Sequence, residues 1–320
     1  MHLNANVLPL VQGGQGAWFD RLRVREVAPP AAGGTTILDF GVEALGGLEA
    51  GLVLARVCLA DLGSVELRAS GEWPWPVVEV RTDHPVLACL ASQYAGWEIK
   101  GEGYFAMASG PMRAVAAREP LFAEIGYREA VAPGLNDRCV GVLEASRFPP
   151  AAVCDEIARK CGVSPDRLTL LAAPTRSIAG TVQIVARSVE TALHKLHALK
   201  FDLDRVVSAT GSAPLPPPAA SDLGAIGRTN DAILYGGRVV LYVRGEDASL
   251  EAIGPQTPSS ASRDYGQPFA ATLAAYGNDF YKVDPLLFSP AEVTFANLDT
   301  GRSWTYGGLN REILRQSFVS

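Results

Sequence analysis

Short apolar runs alternate along this chain with segments of helical spacing. "WPVVEVRT" (75–82), "CVGVLEA" (139–145) and "RLTLLAAP" (167–174) are aliphatic or β-branched and bounded by turn formers, so each predicts a strand. "DHPVLACLASQYAGW" (83–97) predicts a helix with Asp83 at its N-cap, Pro85 in its first turn and Gly96 as its stop. "PPAAVCDEIARKCG" (149–162) predicts another, opened by prolines and ended by Gly162. Ile178, Val182, Val185, Val189, Ala192, Leu193, Leu196 and Leu199 then recur at three- and four-residue steps, the buried stripe of one amphipathic helix. Two Pro/Ala-rich breaks, 25–34 and 211–224, predict loops, and "DAILYGGRVVLYVRG" (231–245) predicts a hairpin about Gly236 and Gly237. No internal repeat is visible. The class is mixed α/β of the α+β kind, with too many hairpin-like segments for a purely parallel sheet.

The other side of the 178–199 helix raises the chemical question. Gln183, Arg187, Glu190, His194 and His197 fall there within an arc of about 80° at about 100° per residue. Periodicity alone reads this file as solvated surface laced with i,i+3 and i,i+4 pairs, each worth about 0.2–0.5 kcal/mol. Its contents point elsewhere: one acid among long donors and imidazoles is an odd choice for solubility. Lining a cleft, Arg187 would orient Glu190 and keep it ionised while burial opposed ionisation, which is how a general base is poised. The His194/His197 pair does not make a metal site, because His2 and His84 are distant in sequence and no Cys or Asp cluster completes it. No metal is expected.

Composition narrows the classes. The chain has 320 residues, 48% hydrophobic and 19% charged, with net charge −6. It carries no basic footprint for nucleic acid or an anionic membrane. No apolar run approaches the roughly 20 residues that span a bilayer, and the N-terminal stretch has no leader pattern, so a cytoplasmic protein is expected. The five cysteines form no CxxC pair and read as buried reduced thiols. "GGQGAW" superficially resembles a phosphate loop but lacks the strand–helix frame, and no GxxxxGK[ST] or GxSxG occurs. In "GEGYFAMASGPMRA" (101–114), Ser109, Gly110 and Arg113 suit either a ligand's anionic groups or a tight strand-to-helix turn. Arg228, Thr229, Asn230 and Asp231, read at the mouth of a strand, suit either a heterocycle's edge or a capped turn. "PSSASRDYG" (258–266) reads as flexible surface.

Taken together, "TDHPVLACLASQYAGW", "GYFAMASGPMRA", "RSIAGTVQIVARSVETALHKLH", "GRTNDAILYGG", "PSSASRDYGQPF" and "FYKVDPLLFSPAEV" resemble, in the same order, the motif series of the methenyltetrahydromethanopterin cyclohydrolase family. The resemblance covers about positions 70–300. It implies reversible hydrolysis of a cyclic methenyl pterin cation to the formyl derivative, or of a dephosphorylated relative, with no metal or prosthetic group. It further implies a homotrimer of two-lobed subunits, each lobe a sheet with packed helices, and a substrate cleft between the lobes. The expected division is 1–165 and 166–320, with segments free to interleave. The family's catalytic pair falls on Arg187 and Glu190, which reverses the surface reading of that file. Ser109, Arg113, Asn230 and Asp231 become candidates for holding the pterin or its tail. His194 and His197 are either a proton relay from Glu190 or supporting residues. The rival readings are a pterin-binding protein without activity and a cyclohydrolase for a folate-type pterin.

Overall fold

The computed structural model describes residues 1–12, 16–27, 34–131 and 137–319. The core of "GGQGAW" and most of the 25–34 break therefore lie outside the described residues. The strands are β1 Arg25–Val27, β2 Thr36–Asp39, β3 Gly63–Arg68, β4 Val77–Thr82, β5 Trp97–Gly101, β6 Tyr104–Ser109, β7 Cys139–Glu144, β8 Leu168–Ala173, β9 Val206–Pro214, β10 Arg238–Val243, β11 Glu292–Asn297 and β12 Ser303–Gly307. The helices are α1 Leu3–Gln12, α2 Ala17–Leu22, α3 Leu48–Cys58, α4 Met112–Ala116, α5 Leu121–Glu124, α6 Ala151–Cys161, α7 Ile178–Val185, α8 Ser188–Ala198, α9 Asp222–Gly236, α10 Asp247–Ile253, α11 Phe269–Ala275 and α12 Arg311–Val319. The class is mixed α/β, with two six-stranded sheets. Among the described residues no helix is long and apolar enough to cross a membrane.

The chain forms two compact units, Met1–Gly63 with Leu87–Gln183, and Ser64–Val86 with Ile184–Ser320. The first holds the sheet ordered β1-β2-β8-β7-β6-β5. Its middle strands β2, β8 and β7 are parallel and its remaining pairs antiparallel. Side chains alternate across β7: Cys139 and Leu143 join the core under α6, whereas Val140 and Val142 join the core under α1, α3 and α7. The helix after β7 thus covers one face and the helix after β8 the other. All five cysteines are free and buried.

The second unit holds the sheet ordered β12-β11-β10-β9-β4-β3, in which β10 and β11 are parallel. Helix α8 packs across β9, β10 and β4. Its first turn comes close to the sheet at Gly211, where an added Cβ would lie 2.5 Å from Ser188 Oγ and 3.0 Å from Val189 Cγ2.

Three sequence expectations are corrected. The segment 231–245 is no hairpin: α9 runs to Gly236 and β10 begins at Arg238. Ser221 caps α9 by accepting the Gly224 N–H at 3.1 Å. The glycines that imitated a turn are packing residues, since a Cβ at Gly236 would lie 2.7 Å from Pro214 and one at Gly237 2.6 Å from Ile233 O. The segment 83–97 narrows to a π-helical stretch, Val86–Gln93, after which Tyr94 donates to Cys89 O at 2.8 Å. Asp83 does not cap it, and accepts instead from Ser208 Oγ at 2.7 Å. The helix drawn over 178–199 is two helices, α7 and α8, separated at Ala186 and Arg187.

Candidate active site

The break between α7 and α8 falls at Ala186 and Arg187. The Arg187 N–H reaches back three residues to Ile184 O (3.0 Å) instead of four, and its own carbonyl accepts from Thr191 (2.9 Å). At φ −91°, ψ 12° Arg187 is the N-cap of α8, and Glu190 lies in the first turn. Backbone N–H groups at a helix start favour a negative charge there, so the chain supplies an anion-stabilising field where its acid stands.

The polar file is not solvated. Gln183 is buried, Arg187 is 7% exposed and Glu190 4%, while His194 and His197 are half-buried. Enclosing an arginine and a glutamate at that level is costly unless they have polar or charged company. Burial pushes the His194 imidazole down to about 4, with His197 adding to the effect, so His194 is neutral near pH 7.

Lys195 belongs to this helix too, and sequence reasoning passed over it. It is 1% exposed, and its ammonium donates to Leu286 O. Burial pulls it down to about 8 against the opposing pull of Asp284. Its place three residues after Ala192 and four before Leu199, both in the apolar stripe, was the available signal. Asp284 in turn accepts from Ser262 Oγ (2.7 Å) and Leu286 N (3.1 Å), and its own N–H donates to Asp264 (2.8 Å). The serine-rich 258–266 segment, read as flexible surface, is therefore tied to the 284–288 turn that Lys195 holds.

Ser109 and Arg113 flank the turn from β6 to α4, where Gly110 has φ +89°. Ser109 is fully buried with its hydroxyl 3.5 Å from Cys58 Sγ. Arg113, also fully buried, donates to Leu90 O (3.0 Å) and Ser92 O (3.2 Å), pairs with Glu119 and lies against Tyr94 and Phe122. It thereby braces the end of the π-helical stretch. Asn230 and Asp231 sit inside α9, not at the mouth of a strand. Asn230 donates to Ile226 O one turn back at 2.8 Å. Asp231 is fully buried and accepts the Phe269 N–H at the start of α11 at 2.8 Å. Burial pushes its carboxyl up to about 7, against the Ser317 hydroxyl and that N–H. Among the described residues no three His, Cys, Asp or Glu side chains gather as metal ligands.

Glu144 is the last residue of β7, and Gln183 Nε2 donates to its Oε1 at 3.2 Å.

The profile of the Cyclohydrolase (MCH) family matches residues 3–318. A methenyltetrahydromethanopterin cyclohydrolase of Methylobacillus flagellatus is 50% identical over 288 residues, 89% of this chain and 86% of that protein. Proteins of the same name from Rhodopirellula baltica and Methanosarcina barkeri are 47% and 43% identical, covering 95% and 89% of this chain and 92% and 89% of their own lengths. With similarity of this extent over nearly its whole length, the chain belongs to the methenyltetrahydromethanopterin cyclohydrolase family.

Proposed function

We propose that the chain catalyses the reversible hydrolysis of methenyl-tetrahydromethanopterin, or its dephosphorylated relative, to the formyl derivative and a proton, with Glu190 and Arg187 at the reacting centre. The observation that carries this assignment of residues is the burial of both side chains at the start of α8, where the family's arginine and glutamate fall by motif.

The substrate carbon is already an amidinium-like cation. Water therefore needs only to be placed and deprotonated. Glu190 accepts one proton as the water oxygen bonds to the methenyl carbon; as the C–N bond then opens to leave the formyl group, the new hydroxyl's proton passes to the departing nitrogen, and the proton held by Glu190 is the one released. The carboxylate also favours the bound cation before attack. A bare guanidinium would repel that cation, so Arg187 acts on Glu190, orienting it and keeping it ionised. This chemistry asks for no metal or prosthetic group, and none is part of the reading. The assembly in this reading is the family's homotrimer, in a cytoplasmic setting, with the pterin one-carbon carrier as its partner.

The test is a direct comparison. Purified protein is mixed with methenyl-tetrahydromethanopterin and, separately, with methenyl-tetrahydrofolate, and loss of each chromophore is followed. Rapid loss of the first alone is expected. Loss of the folate compound at equal rate, or of neither, overturns the reading. Light scattering during size exclusion checks the trimer.

A further inference from the structure

Helix α8 carries Glu190 in its first turn and lies across β9, β10 and β4. Its apolar stripe, Val189, Ala192, Leu193 and Leu196, is fully buried. Apolar burial is non-directional, so it holds a helix down more firmly than it fixes the roll about the axis. Roll matters for the acid. A carboxylate about 6 Å from a helix axis moves by about 1 Å for a roll of about 10°, and misplacement by about 1 Å can cost roughly 10²-fold in rate.

Lys195 supplies a directional contact on the flank of the same helix. Five residues after Glu190, it lies about 140° from it around the axis. It is 1% exposed, and its ammonium donates to Leu286 O. The segment that offers this acceptor is itself braced within the second unit. Leu286 N donates to Asp284 Oδ1 (3.1 Å) and Leu287 N to Asp284 O (2.9 Å), while Ser262 Oγ donates to Asp284 Oδ2 (2.7 Å). The Asp284 N–H donates to Asp264, whose other oxygen accepts from Tyr276 OH at 2.9 Å. A lysine is a costly occupant of such a place, because burial strips the ammonium of its hydration, and an apolar chain of similar length would avoid that loss. What the ammonium adds is direction, a charge-assisted hydrogen bond aimed at one carbonyl.

We propose that Lys195 is a positioning residue: its hydrogen bond to Leu286 O fixes the roll of α8, and with it the place of Glu190, without touching substrate. The proposal rests on the reading of Glu190 as the general base, and its test separates the two.

Wild type, Lys195→Met and Lys195→Arg are assayed on methenyl-tetrahydromethanopterin, and hydrogen exchange is followed in peptides from α8 and from the 284–288 turn. Methionine keeps an unbranched chain and removes the donor, whereas arginine keeps a cationic donor. In Lys195→Met the expected result is kcat lowered at least about tenfold with KM within about threefold, and faster exchange in α8. Lys195→Arg should recover most of the lost kcat. A kcat within about twofold of wild type in Lys195→Met, a loss carried by KM, equal losses in the two variants, or unchanged exchange in α8 overturns the proposal. A wild-type enzyme that does not consume the substrate, or near-normal turnover by Glu190→Gln assayed beside it, overturns the reaction reading instead, and the exchange comparison then still decides whether Lys195 fixes α8. Should Lys195→Met lose its fold by circular dichroism, Ser262→Ala, which loosens the braced turn from its far side, is read in its place: a lower kcat at constant KM supports the proposal, and an unchanged kcat overturns it.

Discussion

Arg187 caps the helix in whose first turn Glu190 stands, and both are buried. The arginine that leaves the α-helical path to start α8 and the acid that gains from its N-terminal field are set by one local event. This relationship makes separable predictions about charge and about proton transfer.

Glu190→Gln should lower kcat by about 10²–10⁴, the usual worth of a general base, while tetrahydromethanopterin still binds. Steady-state assays beside calorimetry check it. Near-normal turnover would remove Glu190 from the reaction.

Arg187→Ala should move the acid limb of the kcat–pH profile upward. Without the neighbouring cation a buried carboxylate takes up its proton at higher pH. A downward shift, or an unmoved limb with reduced kcat, would mean that Arg187 acts on the water or the substrate rather than on Glu190.

Much of the frame was legible. Strands β4, β7 and β8 and helix α6 follow from apolar runs bounded by proline and glycine, because each obeys its local preference. Helix α9 was hidden because Gly227 and Gly236 serve contacts with Ala270 and Pro214, distant partners that a linear pattern does not contain. The break at Arg187 was hidden for a related reason: "IVARSVE" is helix-compatible throughout, and the i−3 bond depends on surrounding structure. Burial of Gln183, Arg187 and Glu190 is likewise a property of what packs over them, so periodicity alone returned a solvated face. Motif resemblance supplied what periodicity could not, yet it left Lys195 unmarked.

His194→Gln tests the choice between relay and support. With its folded pKa depressed to about 4 from an ordinary 6.5, His194 stabilises the fold fully above about pH 6.5, and that contribution is lost as pH falls toward 4. The variant should match wild type in melting temperature at pH 7.5 and exceed it relatively as pH drops to 4.5. Its rate at pH 7.5 should stay within about twofold at every buffer concentration, since an imidazole that stays neutral down to about pH 4 is a poor proton carrier. A rate deficit rescued by small buffer acids would make His194 a relay.

Asp231→Asn concerns stability. The folded pKa is raised to about 7, so the folded state holds a proton that the unfolded state has released above about 3.8. Stability from this group therefore falls as pH rises through that window and is lowest above 7. Asparagine keeps an acceptor for the Phe269 N–H and carries no charge. It should stabilise the fold at pH 8 by an amount on the order of 2 kcal/mol, read as a higher melting temperature, and leave it unchanged near pH 4. A loss at pH 8 that is absent near pH 4 would show that the charge itself is needed.

Gly211→Ala links packing to catalysis. Its Cβ would press on Ser188 Oγ and Val189 Cγ2, in the first turn of α8, and on Val239 Cγ2 at 3.1 Å. Overpacking of this kind costs about 1–3 kcal/mol, and displacement of a catalytic group by about 1 Å can cost roughly 10²-fold in rate. The variant should lose stability and at least about tenfold in kcat together, because the helix turn that moves is the one that presents Glu190. Adding Ser188→Ala removes the nearest clashing atom, so the double variant should recover part of both losses. Recovery of stability without recovery of kcat would mean that the position of this turn does not limit the reaction.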